Sequence, residues 1–410
     1  MNKKKLFWYI VIVEIVVELL LLGLVYGVSR YKKENVGAIN IDNSSDNNTS
    51  INNKSNTNKD NKNNTSSNDT NQDKSFIKWV DFKVSSEALK DACFYDVESY
   101  YGRIISNNKD SLATENNINE NETMGDQKDK ELADKLKKNK IIKINWIDLL
   151  AYLACGYGGD FKKYKKIHME ELVERLKNGE NIDEITKDKK YYGYYREAYE
   201  AVLGGMVGKY TLGGEEKYGL KAFFPIAKNF PYSHYDDFGV SREYGYKRRH
   251  LGHDMMGQVG TPVTNVESGY VEAIGWNQYG GWRLGIRSFD KKRYYYYADL
   301  RKNFPYNKSL KEGSIVTAGD VIGYMGRTGY SRNENVNNIN TSHLHFGIQL
   351  IFDESQKEGN GEIWIDCYQI VKFLYSNRSE TVKNIETKEY SRVIDMVDPS
   401  VDKYIKKRRS

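Results

Sequence analysis

A strand-like run with two histidines constrains this chain of 410 residues more than any other feature. It reads His343-Leu344-His345-Phe346-Gly347. Because side chains alternate between the two faces of a β-strand, both histidines would lie on one face, about 7 Å apart. Leu344 and Phe346 would lie on the other. The alternation predicts a strand that buries one face in a core and presents a polar site on the other.

A second stretch, His250-Leu251-Gly252-His253-Asp254, adds an imidazole and a carboxylate four positions apart. On a straight strand these groups would be too far apart to share a metal ion, so we expect the chain to bend at Gly252. Three nitrogen or oxygen ligands, with one further imidazole that does not bind the metal, are the arrangement of a catalytic zinc site. Water occupies the fourth position in such sites.

Glycine-rich segments surround both stretches. His-x-Gly-x-Asp at His250–Asp254 is followed by Gly260-Thr261-Pro262-Val263 and by Gly269-Tyr270-Val271. Glycine-punctuated hairpins extend from Gly313 to Gly329, before the strand His343-Leu344-His345. In order and spacing these motifs resemble the lysostaphin/LytM-type zinc endopeptidases, which cleave peptide bonds in bacterial peptidoglycan. The resemblance implies a β-rich peptidase fold.

The resemblance covers residues 240 to 352 and assigns roles within them. It implies that His250, Asp254 and His345 bind zinc and that His343 is the catalytic imidazole. His253 would face away from the metal. Four of the six histidines of the chain lie in the two short stretches, which disfavours the alternative that they are ordinary surface or core residues.

The chain departs from that family at one position. The family has a further histidine in a Tyr-x-His-Leu segment, where it stabilises the oxyanion or orients the water. Here the segment reads Tyr297-Ala298-Asp299-Leu300. An ionised carboxylate accepts hydrogen bonds but donates none. Three alternatives stay open: Asp299 is held protonated, it acts as a catalytic base, or turnover is weak.

The amino terminus predicts a membrane anchor. Lys3-Lys4-Lys5 precedes an apolar stretch, residues 6–28, which has the length of a transmembrane helix and no cleavage site after it. The charges flanking the span do not fix its orientation, but the resemblance implies an inner amino terminus and extracytoplasmic C-terminal domains. Glu14 and Glu18 share a helix face within the span. They either face a partner helix or a second copy, or are tolerated as protonated groups.

Composition divides the rest of the chain and predicts an α+β multidomain protein. Residues 29–75, rich in Asn, Ser, Asp and Lys, are expected to be a disordered linker. Residues 76–235 are predicted to be a mainly helical domain with a low-complexity insert at 107–138. A β-rich lysostaphin-like peptidase domain follows at 236–377. Residues 378–410 form a C-terminal tail.

Helical periodicity supports the middle domain. Apolar residues from Trp146 to Ala154 recur at helical spacing, and the glycines from Gly156 to Gly159 are expected to end that helix. Met169–Leu176 and Tyr191–Leu203 have the pattern of two further helices. In contrast, the tyrosine run from Tyr294 to Tyr297 is typical of a β-strand.

Cysteine usage and charge limit the remaining functions. Cys93, Cys155 and Cys367 are odd in number and lack metal-ligand spacing, which argues against a disulfide scaffold and against cysteine zinc ligands. The net charge of +6 suits anionic wall polymers, and nucleic acid is not an expected partner outside the membrane. We therefore expect a membrane-anchored zinc metalloendopeptidase that acts on peptidoglycan. The alternative is a catalytically degenerate, zinc-binding scaffold in a cell-envelope assembly.

Overall fold

The two histidine stretches lie on neighbouring strands of one large sheet in the computed structural model. The structure describes residues 77–115, 143–243, 247–356 and 361–409. The helices among these are α1 Ser86–Glu115, α2 Trp146–Tyr157, α3 Lys166–Lys177, α4 Ile182–Thr186, α5 Tyr192–Leu203, α6 Tyr368–Leu374 and α7 Pro399–Arg409.

The strands alternate with short turns and follow mainly after the helices. They are β1 Ile77–Val80, β2 Val207–Leu212, β3 Glu215–Leu220, β4 Tyr232–His234, β5 Ser241–Glu243, β6 Lys247–Arg249, β7 His253–Gly257, β8 Pro262–Thr264, β9 Gly269–Asn277, β10 Gly281–Ser288, β11 Arg293–Ala298, β12 Ile315–Val316, β13 Val321–Tyr324, β14 His343–Leu350, β15 Glu362–Ile365, β16 Thr381–Lys383, β17 Tyr390–Arg392 and β18 Met396–Val397.

The main sheet has the order β1-β15-β14-β11-β10-β9-β12, and β7 joins it by pairing with both β14 and β4. Its strand pairs are antiparallel, except that β1 runs parallel to β15. The predicted alternation on β14 is confirmed, since Leu344 and Phe346 are both fully buried in the core. The tyrosine run is likewise confirmed as a strand, because it lies within β11.

The three predicted helices of the middle region are also present. Helix α2 begins after Asn145, whose side chain accepts hydrogen bonds from two backbone N–H groups of the first turn. It ends at Gly158, which takes a left-handed conformation with φ of 62°. Helices α3 and α5 match the other two predicted segments within a few residues. The middle region additionally contributes strands, among them β1 at the edge of the main sheet.

Helices and sheet share one hydrophobic core. Its buried members include Leu150 and Leu153 of α2, Met169 of α3, and Leu344 and Phe346 of β14. The three cysteines are free thiols. Because the same core supports the helices and the histidine strand, the helical region positions the site by packing against the back of its sheet.

A buried ion cluster joins α5 to this sheet. Arg293 is 1% exposed, and its Nε lies 2.8 Å from Glu267 Oε2. Its Nη1 donates a 3.0 Å hydrogen bond to the backbone carbonyl of Ala201 at the end of α5. Tyr295 completes the cluster by donating from its hydroxyl to Glu267 Oε2 at 2.5 Å. These bonds satisfy charges that would otherwise be costly to bury.

Some predictions concern residues outside the described ranges. Within the part of the chain that the structure describes, no helix has both the length and the apolar character needed to cross a membrane. The predicted span 6–28 and linker 29–75 lie outside those ranges. Of the predicted insert 107–138, only the first residues are described, and they belong to the end of α1.

Arg293→Ala should destabilise the fold by about 3–5 kcal/mol, because Glu267 would remain buried without its cation. Urea unfolding followed by circular dichroism measures the change in the free energy of unfolding. Arg175→Ala provides the control, since the Arg175–Glu180 pair is exposed on both sides and should contribute about 0–1 kcal/mol. Equal losses in the two variants would contradict the role assigned to the cluster.

Candidate metal centre and active site

Strand register brings the three predicted ligands together. On the paired strands β7 and β14, Asp254 lies directly opposite His345. His250 lies in the irregular segment before β7. The distances are 3.1 Å from His250 Nε2 to Asp254 Oδ1, 3.0 Å from His250 Nε2 to His345 Nδ1, and 2.9 Å from His345 Nδ1 to Asp254 Oδ1. Three ligand atoms thus converge on one point.

Gly252 makes this convergence sterically possible. The chain bends at this residue, as the spacing of the motif predicted. Its φ is not positive, so the requirement for glycine is one of space. A Cβ here would lie 2.6 Å from Cε1 and Nε2 of His345 and 2.8 Å from the backbone oxygen of Phe346. The ring of His345 therefore occupies the volume that a side chain would need.

The donor set fits zinc. Nδ1 of His250 lies 3.0 Å from the backbone oxygen of Asp237 and 3.1 Å from its carboxylate, so this nitrogen donates and Nε2 presents a lone pair to the centre. Two imidazole nitrogens and one carboxylate oxygen are ligands that zinc binds at about 2.0–2.2 Å. Burial would raise the pKa of Asp254, but its hydrogen bonds with His250 and His345 hold the pKa far below the usual range.

Two residues that the sequence motifs did not identify, Asp237 and Arg242, form hydrogen bonds and ion pairs with the ligands. Nη2 of Arg242 lies 2.8 Å from Asp254 Oδ2 and 2.7 Å from Asp237 Oδ2. Asp254 therefore presents Oδ1 to the ligand set while Arg242 holds its other oxygen. No spacing rule points to Asp237, which precedes His250 by thirteen residues and meets it only in the folded chain.

His343 lies beside the ligand set. Its Nδ1 donates a 2.8 Å hydrogen bond to the backbone oxygen of Thr341, which fixes the ring. Its Nε2 lies 2.9 Å from Asp299 Oδ2 and 3.7 Å from Asp254 Oδ2. Burial alone would lower the pKa of His343, but the hydrogen bond and the charge of Asp299 outweigh it and raise the pKa to about 9. His343 is therefore held as a proton donor.

Asp299 is fixed in an unusual conformation at the end of β11. Its φ is 61°, in the left-handed region that non-glycine residues rarely adopt. The backbone N–H donates a 2.9 Å hydrogen bond to Gly280, and the residue is 4% exposed. Gly329 gives its carboxylate room, because a Cβ there would lie 2.6 Å from Asp299 Oδ1. The strained backbone thus directs Asp299 at His343.

Two histidines outside the ligand set, His253 and His234, form a pair next to Asp237. Nε2 of His253 is 2.7 Å from Nδ1 of His234, and Nδ1 of His253 is 3.4 Å from Asp237 Oδ1. His253 therefore contacts the supporting carboxylate and takes no place among the ligand atoms. His234 lies outside the sequence motifs, and only the pairing of β4 with β7 brings it here.

A groove of about 890 Å³ extends from this centre over the open face of the sheet. His250, His345 and Asp299 line one part of it, and the side chains along the rest include Arg283, Tyr294, Tyr296, Glu362 and Trp364. The ring of Tyr296 lies 5.9 Å from that of His345. An extended chain lying in the groove would thus pass His250 and His345 and continue over aromatic and charged side chains.

Comparisons with known proteins find similarity in the region around this centre. Residues 248–358 match the model of peptidase family M23. The chain is 38% identical over 125 residues to the L-Ala–D-Glu endopeptidase of Bacillus subtilis (strain 168), covering 30% of this chain and 37% of that protein. It is 38% identical over 98 residues to lysostaphin of Staphylococcus staphylolyticus, covering 24% and 18% respectively. The chain therefore spans little more than a third of the first relative and less than a fifth of the second.

Solved structures are also similar, and one of them illustrates the match. It comes from Ruminococcus gnavus ATCC 29149 and is provisionally assigned as a glycyl-glycine endopeptidase, lytM. It is 26% identical, with a TM-score of 0.40, and the match covers 56% of this chain and 81% of that one.

His345→Ala should abolish stoichiometric zinc binding, because it removes one of three convergent ligand atoms. His343→Ala should leave zinc bound, since His343 contributes no atom to that triangle. Metal content of the purified proteins, measured by inductively coupled plasma mass spectrometry, distinguishes the two variants. One zinc per chain in the His345 variant would refute the ligand assignment.

Proposed function

We propose that this chain, which carries an M23-type zinc metallopeptidase domain with a His-Asp-His metal-binding group, hydrolyses peptide bonds of bacterial peptidoglycan. One observation carries the proposal. The His343–Asp299 pair lies beside the ligand set, since His343 Nε2 is 3.7 Å from Asp254 Oδ2, and Asp299 lines the same part of the groove as His250 and His345.

The side chains divide the chemistry between them. When bound, zinc supplies a Lewis acid and a water of lowered pKa. His343 holds a proton at Nε2, and the hydrogen bond from its Nδ1 to the backbone oxygen of Thr341 orients its ring. It can give that proton to the developing oxyanion or to the leaving amine. Asp299 accepts from His343 and keeps it protonated.

Asp299 therefore has a function different from that of the histidine it replaces. It need not donate to the oxyanion, since His343 is the donor. Among the alternatives that the sequence left open, the geometry favours a charged Asp299 that acts through His343. The peptidoglycan substrate is supported by the relatives, one of which is an L-Ala–D-Glu endopeptidase.

Membrane attachment completes the proposal. Residues 6–28 would anchor the chain with a single span and residues 29–75 would tether the enzyme, so that its C-terminal domains act outside the membrane. Glu14 and Glu18 would then face a partner helix or a second copy. Zinc, peptidoglycan and the membrane are the partners implied.

The departure at Asp299 also favours a second candidate. A peptidase domain that has lost its usual histidine could persist as a zinc-stabilised binding or scaffold module of the cell envelope. The ligand triangle and His343 are intact, which favours the enzyme.

Purified full-length protein should release soluble fragments from wall sacculi, and a chelator should stop the release. Asp299→Ala should lower the rate on the order of 10²-fold with zinc retained, because His343 loses the group that holds its proton. Asp299→Asn tests the charge separately from the hydrogen-bond geometry. Fragment release is followed by chromatography and zinc by metal analysis.

Asp353→Ala is the matched control, since Asp353 is an exposed loop carboxylate outside the groove. Equal rates for wild type and Asp299→Ala would refute a catalytic contribution of Asp299. No release by any of these proteins, with zinc bound, would favour the scaffold.

The anchor predicts a specific topology. Full-length protein should stay in the membrane fraction after carbonate washing. Protease added to wall-stripped cells should cut within residues 34–75 and release the folded remainder, which immunoblotting would detect. Protection of this segment from external protease would overturn the orientation and, with it, access to peptidoglycan.

A further inference from the structure

Arg283 is a charged side chain of the groove that the chemistry above does not use. It lines the cavity, and none of its guanidinium nitrogens forms a hydrogen bond or ion pair with a described residue. Its Nη1 is buried and has no hydrogen-bond partner. Burying an unpaired donor is costly, and such groups in native structures usually have a partner.

Strand register aligns Arg283 with the metal centre. Ala298 of β11 pairs with His345 of β14, and β10 pairs with β11 through Leu284 and Tyr297. Continued by one residue, this register places Arg283 opposite Ala298. Arg283 and His345 therefore lie on the same face of the sheet, two strands apart, or about 10 Å between their backbones.

The neighbouring arginines of the sheet differ from Arg283 because they have counter-ions. Arg287 on β10 is paired with Glu272 at 3.1 Å and with Glu354 at 3.0 Å. Arg293 on β11 is paired with Glu267. The sheet thus provides counter-ions for its other buried guanidinium groups, while Arg283 faces the groove without one.

Aromatic rings define the surroundings of Arg283. Tyr294 and Tyr296 line the same groove, and Tyr296 contacts the ring of His345 edge-on at 5.9 Å. Burial raises the pKa of Tyr296 to about 12, and the charge of Arg283 acts in the opposite direction, which places Arg283 within electrostatic reach of this ring. The guanidinium therefore lies in a half-enclosed, aromatic part of the groove, where a charge is screened less than in water.

We propose that Arg283 binds a carboxylate of the peptide substrate, at a position within about three residues of the cleaved bond along an extended chain. The inference rests on the proposed peptidase function and adds a substrate class to it: peptides that carry a free carboxylate near the scissile bond. Arg283 is then a specificity-determining residue, separate from the groups that transfer protons.

The chemistry of the guanidinium explains the expected selectivity. A carboxylate can accept two parallel hydrogen bonds from it and neutralises its charge. A carboxamide of the same shape offers one acceptor oxygen and no charge, and its NH2 group meets another donor. Replacing the carboxylate by a carboxamide should therefore lower kcat/KM by about 10- to 100-fold.

The test uses two synthetic wall-type peptides that differ only in one carboxylate or carboxamide beside the cleaved bond. The zinc-loaded full chain is compared with Arg283→Gln, Arg283→Lys and the control Arg332→Gln, which removes the same charge from an exposed site. We expect wild type and Arg332→Gln to prefer the carboxylate peptide, Arg283→Gln to treat both peptides alike, and Arg283→Lys to retain part of the preference.

Direct binding of both peptides, measured by calorimetry, separates this inference from the proposed function. If wild type cleaves neither peptide but binds the carboxylate form more tightly in an Arg283-dependent way, the peptidase function fails and the inference stands. Equal affinity and equal cleavage of the two peptides by wild type would overturn the inference. So would a preference that persists in Arg283→Gln. If the Gln variant does not fold, as judged by its thermal midpoint, the same comparison is decided by wild type and Arg283→Lys.

Discussion

The antiparallel pairing of β7 with β14 is the constraint on which the site depends. It places Asp254 opposite His345, and it simultaneously buries Phe346 and Leu344 in the core. Because side chains alternate along a strand, a slip of one residue would turn both histidines of β14 into the core. The hydrophobic face therefore fixes the register, and the register fixes the ligand triangle. Core packing and metal binding are not independent properties here.

Local sequence patterns were sufficient to predict individual elements of the fold and of the site. The alternation around His343, the bend at Gly252 and the helix that ends at Gly158 each follow from a few consecutive residues. Their physical causes, side-chain alternation and helix capping, act over one strand or one turn. The sequence predicted a bend at Gly252 but not the lack of space for a side chain there, because the contact with His345 joins residues ninety-three positions apart.

The supporting contacts could not be predicted in the same way. Asp237 and Arg242 reach the ligands only because the chain returns through β4 and the β5–β6 hairpin to the side of β7. His234, outside every motif, becomes the partner of His253 by the same route. Arg283 differs from Arg287 and Arg293 of the same sheet in having no counter-ion among the described residues once the sheet has formed. Such contacts depend on long-range register, which a single sequence does not display.

The carboxylate of Asp299 is paired within the site. An isolated carboxylate so close to Asp254 would add repulsion between two buried anions. Instead, Asp299 lies 2.9 Å from His343 Nε2, and Arg242, which also contacts Asp237, lies 2.8 Å from Asp254 Oδ2, so the two carboxylates are paired with different cations. The left-handed backbone of Asp299 costs energy, and its contacts with Gly280 and His343 hold it in that conformation. Under the proposed function, His343 is the group that would donate to an oxyanion, and Asp299 is the group that holds its proton.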